Sequence, residues 1–95
     1  MAENEVYFNL RRVDNSYHYT FDLPGKFGTG HAGKDLDSCK RLILNEARDL
    51  QARSVVVQSA RRGDFDFSKP VPLSDLQLLV LCLQDECSDI TFRLQ

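Results

Sequence analysis

Two segments near the amino terminus alternate between apolar and polar residues, and this alternation limits the fold more than any other feature. Residues 5–13 and 17–23 each carry apolar side chains at every second position. These positions are Val6, Phe8, Leu10, Tyr17, Tyr19, Phe21 and Leu23. A period of two is typical of a strand with one buried face, and Asp14 and Asn15 between the segments suit a tight turn. The pattern predicts a β-hairpin.

The rest of the chain carries helix and strand signals in alternation. An apolar stripe at helical spacing predicts a first helix that is capped by Asp35 or Asp37 and ends near Arg53. The stripe comprises Leu36, Cys39, Leu42, Ile43, Ala47 and Leu50. Residues 54–60 are rich in β-branched side chains and predict a strand, whereas residues 61–72 predict a loop because of their two prolines.

The carboxyl-terminal third predicts one more helix and one more strand. Ser74 and Gln77 fit a capping box, and the leucine-rich run after them favours a helix from about Asp75 to Cys87. Residues 90–95 alternate again and predict a final strand.

These elements predict a single α/β (α+β) domain over residues 1–95. The expected order is ββαβαβ, in a two-layer sandwich whose four-stranded mixed sheet carries both helices on one face. Right-handed crossovers would make the last three strands parallel. The first strand would then lie antiparallel at a sheet edge. Pairing of a second copy with an edge, at the first or the last strand, would give a homodimer.

Charge and cysteine usage narrow the class of protein. The chain has a net charge of −2, and nucleic-acid binders usually show a basic excess. It lacks the basic and apolar pattern of a signal peptide, so we expect a cytoplasmic protein and no membrane partner. Cys39, Cys82 and Cys87 form no Cys-x-x-Cys pair and predict buried free thiols, with no metal and no cofactor.

A glycine-rich segment, residues 25–35, predicts a loop at the start of the first helix. Glycines let the backbone approach an anion, the helix N-terminus offers N–H groups, and basic side chains add charge. Together with the loop after the third predicted strand, this segment would form an anion- or nucleotide-binding corner. Its residues would be Gly28, Gly30, His31, Gly33, Lys34, Arg61 and Arg62. A plain connector explains the glycines as well.

Residues 28–34 resemble the G-x-x-x-x-G-K part of a P-loop NTPase. The resemblance implies phosphate binding, but Asp35 stands where the motif requires a serine or threonine for Mg²⁺. The run from Leu78 to Glu86 resembles a Walker B strand, yet its capping signal predicts a helix. An NTPase core also needs more strands than 95 residues supply, so the sequence does not predict an NTPase.

The remaining patterns favour binding over catalysis. His31, Asp35 and Cys39 are near one another in sequence, but Cys39 lies on the apolar stripe, where a thiolate is disfavoured. We therefore expect no enzyme activity. The best partner-binding candidates are Phe65 and Phe67 in an acidic loop, with Tyr7 and Arg11 on the open sheet face. The sequence thus predicts a small regulatory protein that acts through protein–protein contacts. The alternatives are the anion site and, more weakly, single-stranded nucleic-acid binding on the sheet.

Overall fold

The structure, a computed structural model, describes residues 5–59 and 68–95. These residues form a mixed sheet and two helices. The strands are β1 (Glu5–Val13), β2 (Ser16–Leu23), β3 (Lys26–Gly33), β4 (Ser54–Ser59), β5 (Ser68–Pro70) and β6 (Thr91–Leu94), and the helices are α1 (Leu36–Asp49) and α2 (Leu73–Glu86).

The sheet is centred on β1. Along the sheet the order is β3-β2-β1-β4-β6, and the short β5 pairs with the end of β1 beyond β4. The first three strands form an antiparallel meander, whereas β1, β4 and β6 run parallel. The two parallel steps each need a crossover, and α1 and α2 provide them.

Both helices pack on one face of the sheet and share one core with it. The alternating apolar residues of β1 and β2 face this core, as their period predicts, together with Val55 and Val57 of β4. From the helices, the fully buried side chains include Ile43 of α1 and Leu83 of α2. The helices also touch each other, because Lys40 forms an ion pair with Glu86, with 2.6 Å between the nitrogen and the oxygen.

The two helices begin differently. Asp35 caps α1, as predicted: its carboxylate accepts a hydrogen bond of 2.8 Å from the Ser38 N–H. The capping box predicted for α2 is wrong, since α2 begins at Leu73 after Pro72 and has no side-chain cap. The fixed φ of proline suits a helix start, and the Pro72 carbonyl accepts the first N–H bonds.

The mixed α+β fold with two helices and a sheet is confirmed, but the predicted strand count and order are wrong. In the described part of the chain the sheet has six strands, and the order is βββαββαβ instead of ββαβαβ. The main cause is the glycine-rich segment, which is the strand β3 and not a loop. A smaller cause is β5, which includes Pro70 and lies within residues predicted to be a loop.

The extra strand reverses the chain once more and therefore changes the predicted sheet. Because β3 turns back along β2, α1 starts from a strand parallel to β1. The crossover then returns to pair β4 with β1, so β1 lies at the centre of the sheet and not at its edge. The free edges of the described sheet are β3 on one side and β6 on the other.

Candidate interaction surface

Glycines 28 and 30 of the predicted anion corner serve strand packing. Gly28 pairs with Phe21 across β2 and β3, and Gly30 pairs with Tyr19. A Cβ on Gly28 would overlap the Phe21 ring, and one on Gly30 would lie 3.2 Å from Tyr19 Cε1. The aromatic rings lie over the glycine backbone, an arrangement that stabilises glycine in a strand. Packing of the two rings therefore explains why positions 28 and 30 are glycine, without any ligand.

The rest of the predicted corner is only partly described. Gly33 has a φ of +94°, and its Cα lies against Ser38 at the start of α1. The carboxylate of Asp35 takes the N–H group of Ser38, and this hydrogen bond lowers the pKa of Asp35. A carboxylate thus occupies the helix N-terminus that an anion would use. Lys34 is exposed, whereas Arg61 and Arg62 lie outside the described residues, and the anion site stays a prediction.

The open face of the sheet carries a network of polar side chains. Glu5 accepts hydrogen bonds from Ser54 and Tyr7, and Arg93 pairs with its carboxylate at 2.9 Å. Asn9 lies between Thr20 and Gln58 and bonds to both. Because these side chains satisfy one another, the central part of the face is a bonded polar surface. Tyr7 is half-buried in it, and nucleic-acid binding there stays a prediction.

An open depression of about 450 Å³ lies beside this network, at the turn between β2 and β3. Its described lining is Glu5, Tyr7, Asp22, Leu23, Pro24 and Gly25. These residues include two carboxylates and no basic side chain, so the described lining offers no positive charge to an anion. The depression therefore adds nothing to the predicted anion site.

Two histidines lie next to each other on the open face. His18 of β2 and His31 of β3 are cross-strand neighbours, and their ring centroids are 4.1 Å apart. Partial burial, followed by the neighbouring His31 and Arg11, lowers the pKa of His18 below its usual 6.5. Arg11, predicted to bind a partner, is buried on this face and has an interaction of its own.

The three cysteines differ in exposure. Cys39 is fully buried in the core, as predicted, and burial raises its pKa to about 12. A thiol with such a pKa stays protonated near neutral pH and is a poor nucleophile. Cys87 is also buried, but the prediction is wrong for Cys82, which is exposed on α2.

The outer face of α2 is more apolar than the fold requires. Leu76, Leu79 and Leu83 face the core, whereas Leu78 and Leu81 point away from it and are 52% and 68% exposed. We define the α2 outer face as Ser74, Gln77, Leu78, Leu81, Cys82 and Asp85, which are all exposed. Positions three and four apart are neighbours on a helix, so Leu78, Leu81 and Cys82 form one continuous apolar patch.

The sequence contained a signal for this surface. Residues 78–83 are apolar at every position, and a helix that is apolar on all sides is buried on all sides or exposes one apolar face. The leucine-rich composition predicts a helix that is buried on most sides, and this is wrong for the face that carries Leu78 and Leu81, because nothing local says how many layers cover a helix. The other predicted partner-binding residues, Phe65 and Phe67, lie outside the described residues.

No protein-family model, curated protein or solved structure matches this chain. Within residues 5–59 and 68–95, no group of three or more His, Cys, Asp or Glu side chains is arranged to hold a metal ion. Neither of the two described helices is long and apolar enough to cross a membrane.

Proposed function

We propose that this chain is a small, non-catalytic binding protein that acts through protein–protein contacts, and that the α2 outer face is its binding surface. The observation that carries the proposal is the exposure of Leu78 and Leu81 on consecutive turns of one helix. Single exposed leucines are common on protein surfaces, whereas a continuous apolar patch is typical of an interaction site.

The fold does not need these two leucines. The core contacts of α2 come from Leu76, Leu79 and Leu83, which lie on the opposite side of the helix. Full burial of an exposed leucine supplies about 1.5–3 kcal/mol, and Leu78 and Leu81, which are 52% and 68% exposed, leave about half or more of that free energy ungained. Burial against a partner would recover that free energy.

The charges on α2 indicate the kind of partner. The helix contains Asp75, Asp85 and Glu86 but no lysine or arginine. A second copy docked in antiparallel fashion on the same face would bring the acidic ends of the two helices together, and like charges oppose such a contact. The complementary partner is an amphipathic helix of another protein, with an apolar stripe bordered by basic residues.

Two designed helical peptides test this surface directly. One carries leucines on one stripe and lysines elsewhere, and the other has glutamate at each lysine position. We expect the lysine peptide to bind the wild-type protein and the glutamate peptide not to bind, with affinity measured by isothermal titration calorimetry. Binding should also protect Cys82 from alkylation, because its thiol lies on the same face as Leu78 and Leu81.

Matched variants distinguish the surface from general attraction to a protein with net negative charge. The double variant Leu78→Ser and Leu81→Ser should lose the lysine peptide, whereas Phe27→Ser, which removes an equally exposed apolar side chain on β3, should keep it. Equal binding by the wild type and the double variant, or alkylation of Cys82 unchanged by the peptide, would contradict the proposal.

A further inference from the structure

The edge strand β3 is open to another strand. Within the described part of the chain, β3 pairs only with β2, so its other side carries N–H and C=O groups that no strand takes up. Such an edge is a template for a further strand unless charges, proline or a bulge protect it. Residues 27–33 of β3 contain no charged residue and no proline, and the register irregularity with β2 lies at the carboxyl end of β3, between His31 and Gly33, so residues 27–31 pair regularly.

The opposite edge of the sheet is different. β6 has four residues against eight in β3, and Arg93 stands in the middle of it. Short length and a central charge are the usual means of blocking edge-to-edge pairing. Of the two edges, β3 is therefore the one suited to pairing.

The side chains on β3 leave room for a neighbour. Phe27, Thr29 and His31 occupy the open face, and Phe27 is 68% exposed. On the face towards the helices, Gly28 and Gly30 carry no side chains of their own, so β3 adds no bulk there beyond the rings of Phe21 and Tyr19 that lie over the two glycines. We infer that β3 pairs in antiparallel fashion with β3 of a second copy, joining the two sheets of a homodimer.

The charges at the ends of β3 select the register. A two-fold axis at Thr29 sets Phe27 opposite His31 of the second copy and Lys26 opposite its Ala32. This register forms two aromatic pairs and places no like charges face to face. An axis at Gly30 would set Lys26 against Lys34 of the other copy, and an axis at Gly28 would leave His31 beyond the paired strand. The axis therefore passes through Thr29.

The oligomeric state of the full chain tests the pairing. Sedimentation equilibrium should find a dimer for the wild type and a monomer for Thr29→Lys, because the axis would set the two introduced lysines side by side. Thr91→Lys adds the same charge to the same face at the other edge and should remain dimeric. A monomeric wild type would overturn the inference.

A crosslink tests the register independently of the lysine variant. In a Cys82→Ser background, Thr29→Cys should form an intermolecular disulfide on mild oxidation, since the axis brings the two Cβ atoms to about 4.5–5.5 Å. Phe27→Cys in the same background should not crosslink with itself. Crosslinking through position 27 instead of 29 would overturn the register.

The inferred β3 dimer and the proposed binding function of the α2 outer face can be contradicted separately. A dimer that resists Thr29→Lys but dissociates in the double variant Leu78→Ser and Leu81→Ser would overturn pairing through β3 and assign self-association to α2. A dimer that forms through β3 while no peptide binds α2 would leave the present inference standing and contradict the proposed function.

Discussion

At the scale of single residues, Gly28 shows how a missing side chain can determine a strand. Gly→Ala substitutions can stabilise a protein by about 0.4–1 kcal/mol through the unfolded state. At Gly28 the new Cβ would overlap the ring of Phe21, which is buried and has little room to move. Overpacking of this kind typically costs about 1–3 kcal/mol, so it outweighs the entropic gain. We predict that Gly28→Ala lowers the free energy of unfolding by about that amount in urea denaturation.

Two further variants check the cause of this loss. Gly30→Ala should cost less, since its Cβ would lie 3.2 Å from the edge of the Tyr19 ring, where a small shift suffices. Replacing Phe21 by leucine in the Gly28→Ala background should return part of the lost stability. A Gly28→Ala variant with the same unfolding free energy as the wild type would contradict the close approach of the Phe21 ring to this glycine.

The second prediction at the residue scale concerns pH. Burial, His31 and Arg11 lower the pKa of His18, and Asp14 opposes them more weakly. The unfolded chain therefore binds a proton at His18 at a higher pH than the folded protein does. The stability linked to His18 is complete above its usual pKa of 6.5 and falls as the pH drops through the lowered value.

The pH dependence can be measured against a variant that does not titrate. Between pH 7.5 and pH 5, we expect the wild type to lose more unfolding free energy than His18→Gln, and the His18 ring protons to titrate below 6.5 in NMR spectra. Identical pH profiles for the two proteins would contradict the prediction. A midpoint above 6.5 would mean that a carboxylate, and not Arg11 and His31, governs this ring.

At the scale of elements, α2 separates residues that hold the fold from residues available for binding. Leu83 is fully buried and Leu81 is largely exposed, although both are leucines of one helix. Leu83→Ala should cost about 2–5 kcal/mol through the lost burial and the cavity. Leu81→Ala should change the unfolding free energy by no more than about 0.5 kcal/mol. Chemical denaturation of the two variants gives both values, and a large loss for Leu81→Ala would exclude its side chain from a free surface.

Elements whose signals are local could be predicted from the sequence. The hairpin of β1 and β2 follows from strict alternation around Asp14, which has a positive φ in the turn. The start of α1 follows from the cap at Asp35, and the buried middle of β4 from its three valines. In each case the residues that define the element lie within it, so a short window of sequence contains the information.

The strand β3 could not be predicted in this way. Its three glycines lower strand propensity and are typical of a loop, and they become compatible with a strand only when Tyr19 and Phe21 lie across Gly30 and Gly28. That compensation comes from the neighbouring strand. The sequence therefore identified the segment 25–35 as unusual but predicted a loop where the structure has the strand β3.

At the scale of the whole molecule, taking β3 for a loop moved β1 from the centre of the sheet to its predicted edge. If β3 is counted as a loop, the chain reverses direction only once before α1, so α1 follows a strand antiparallel to β1. The right-handed crossover rule then puts β1 at the edge. With β3 included, the same rule puts β1 at the centre. The physical rule was sound, and the error lay in the element to which it was applied.

Native-state hydrogen exchange tests this sheet order. β1 forms ladders with β2 on one side and β4 on the other, and its core-facing residues are fully buried. Its amides should therefore exchange only on global unfolding, while the amides on the outer side of β3, which no strand takes up, should exchange without any opening. The Thr29→Lys variant is the appropriate sample, because self-pairing would protect β3 in the wild type. Amides of β3 that outlast those of β1 in this variant would show that β1 is not central, and the parallel pairing of β1 with β4 would have to be abandoned.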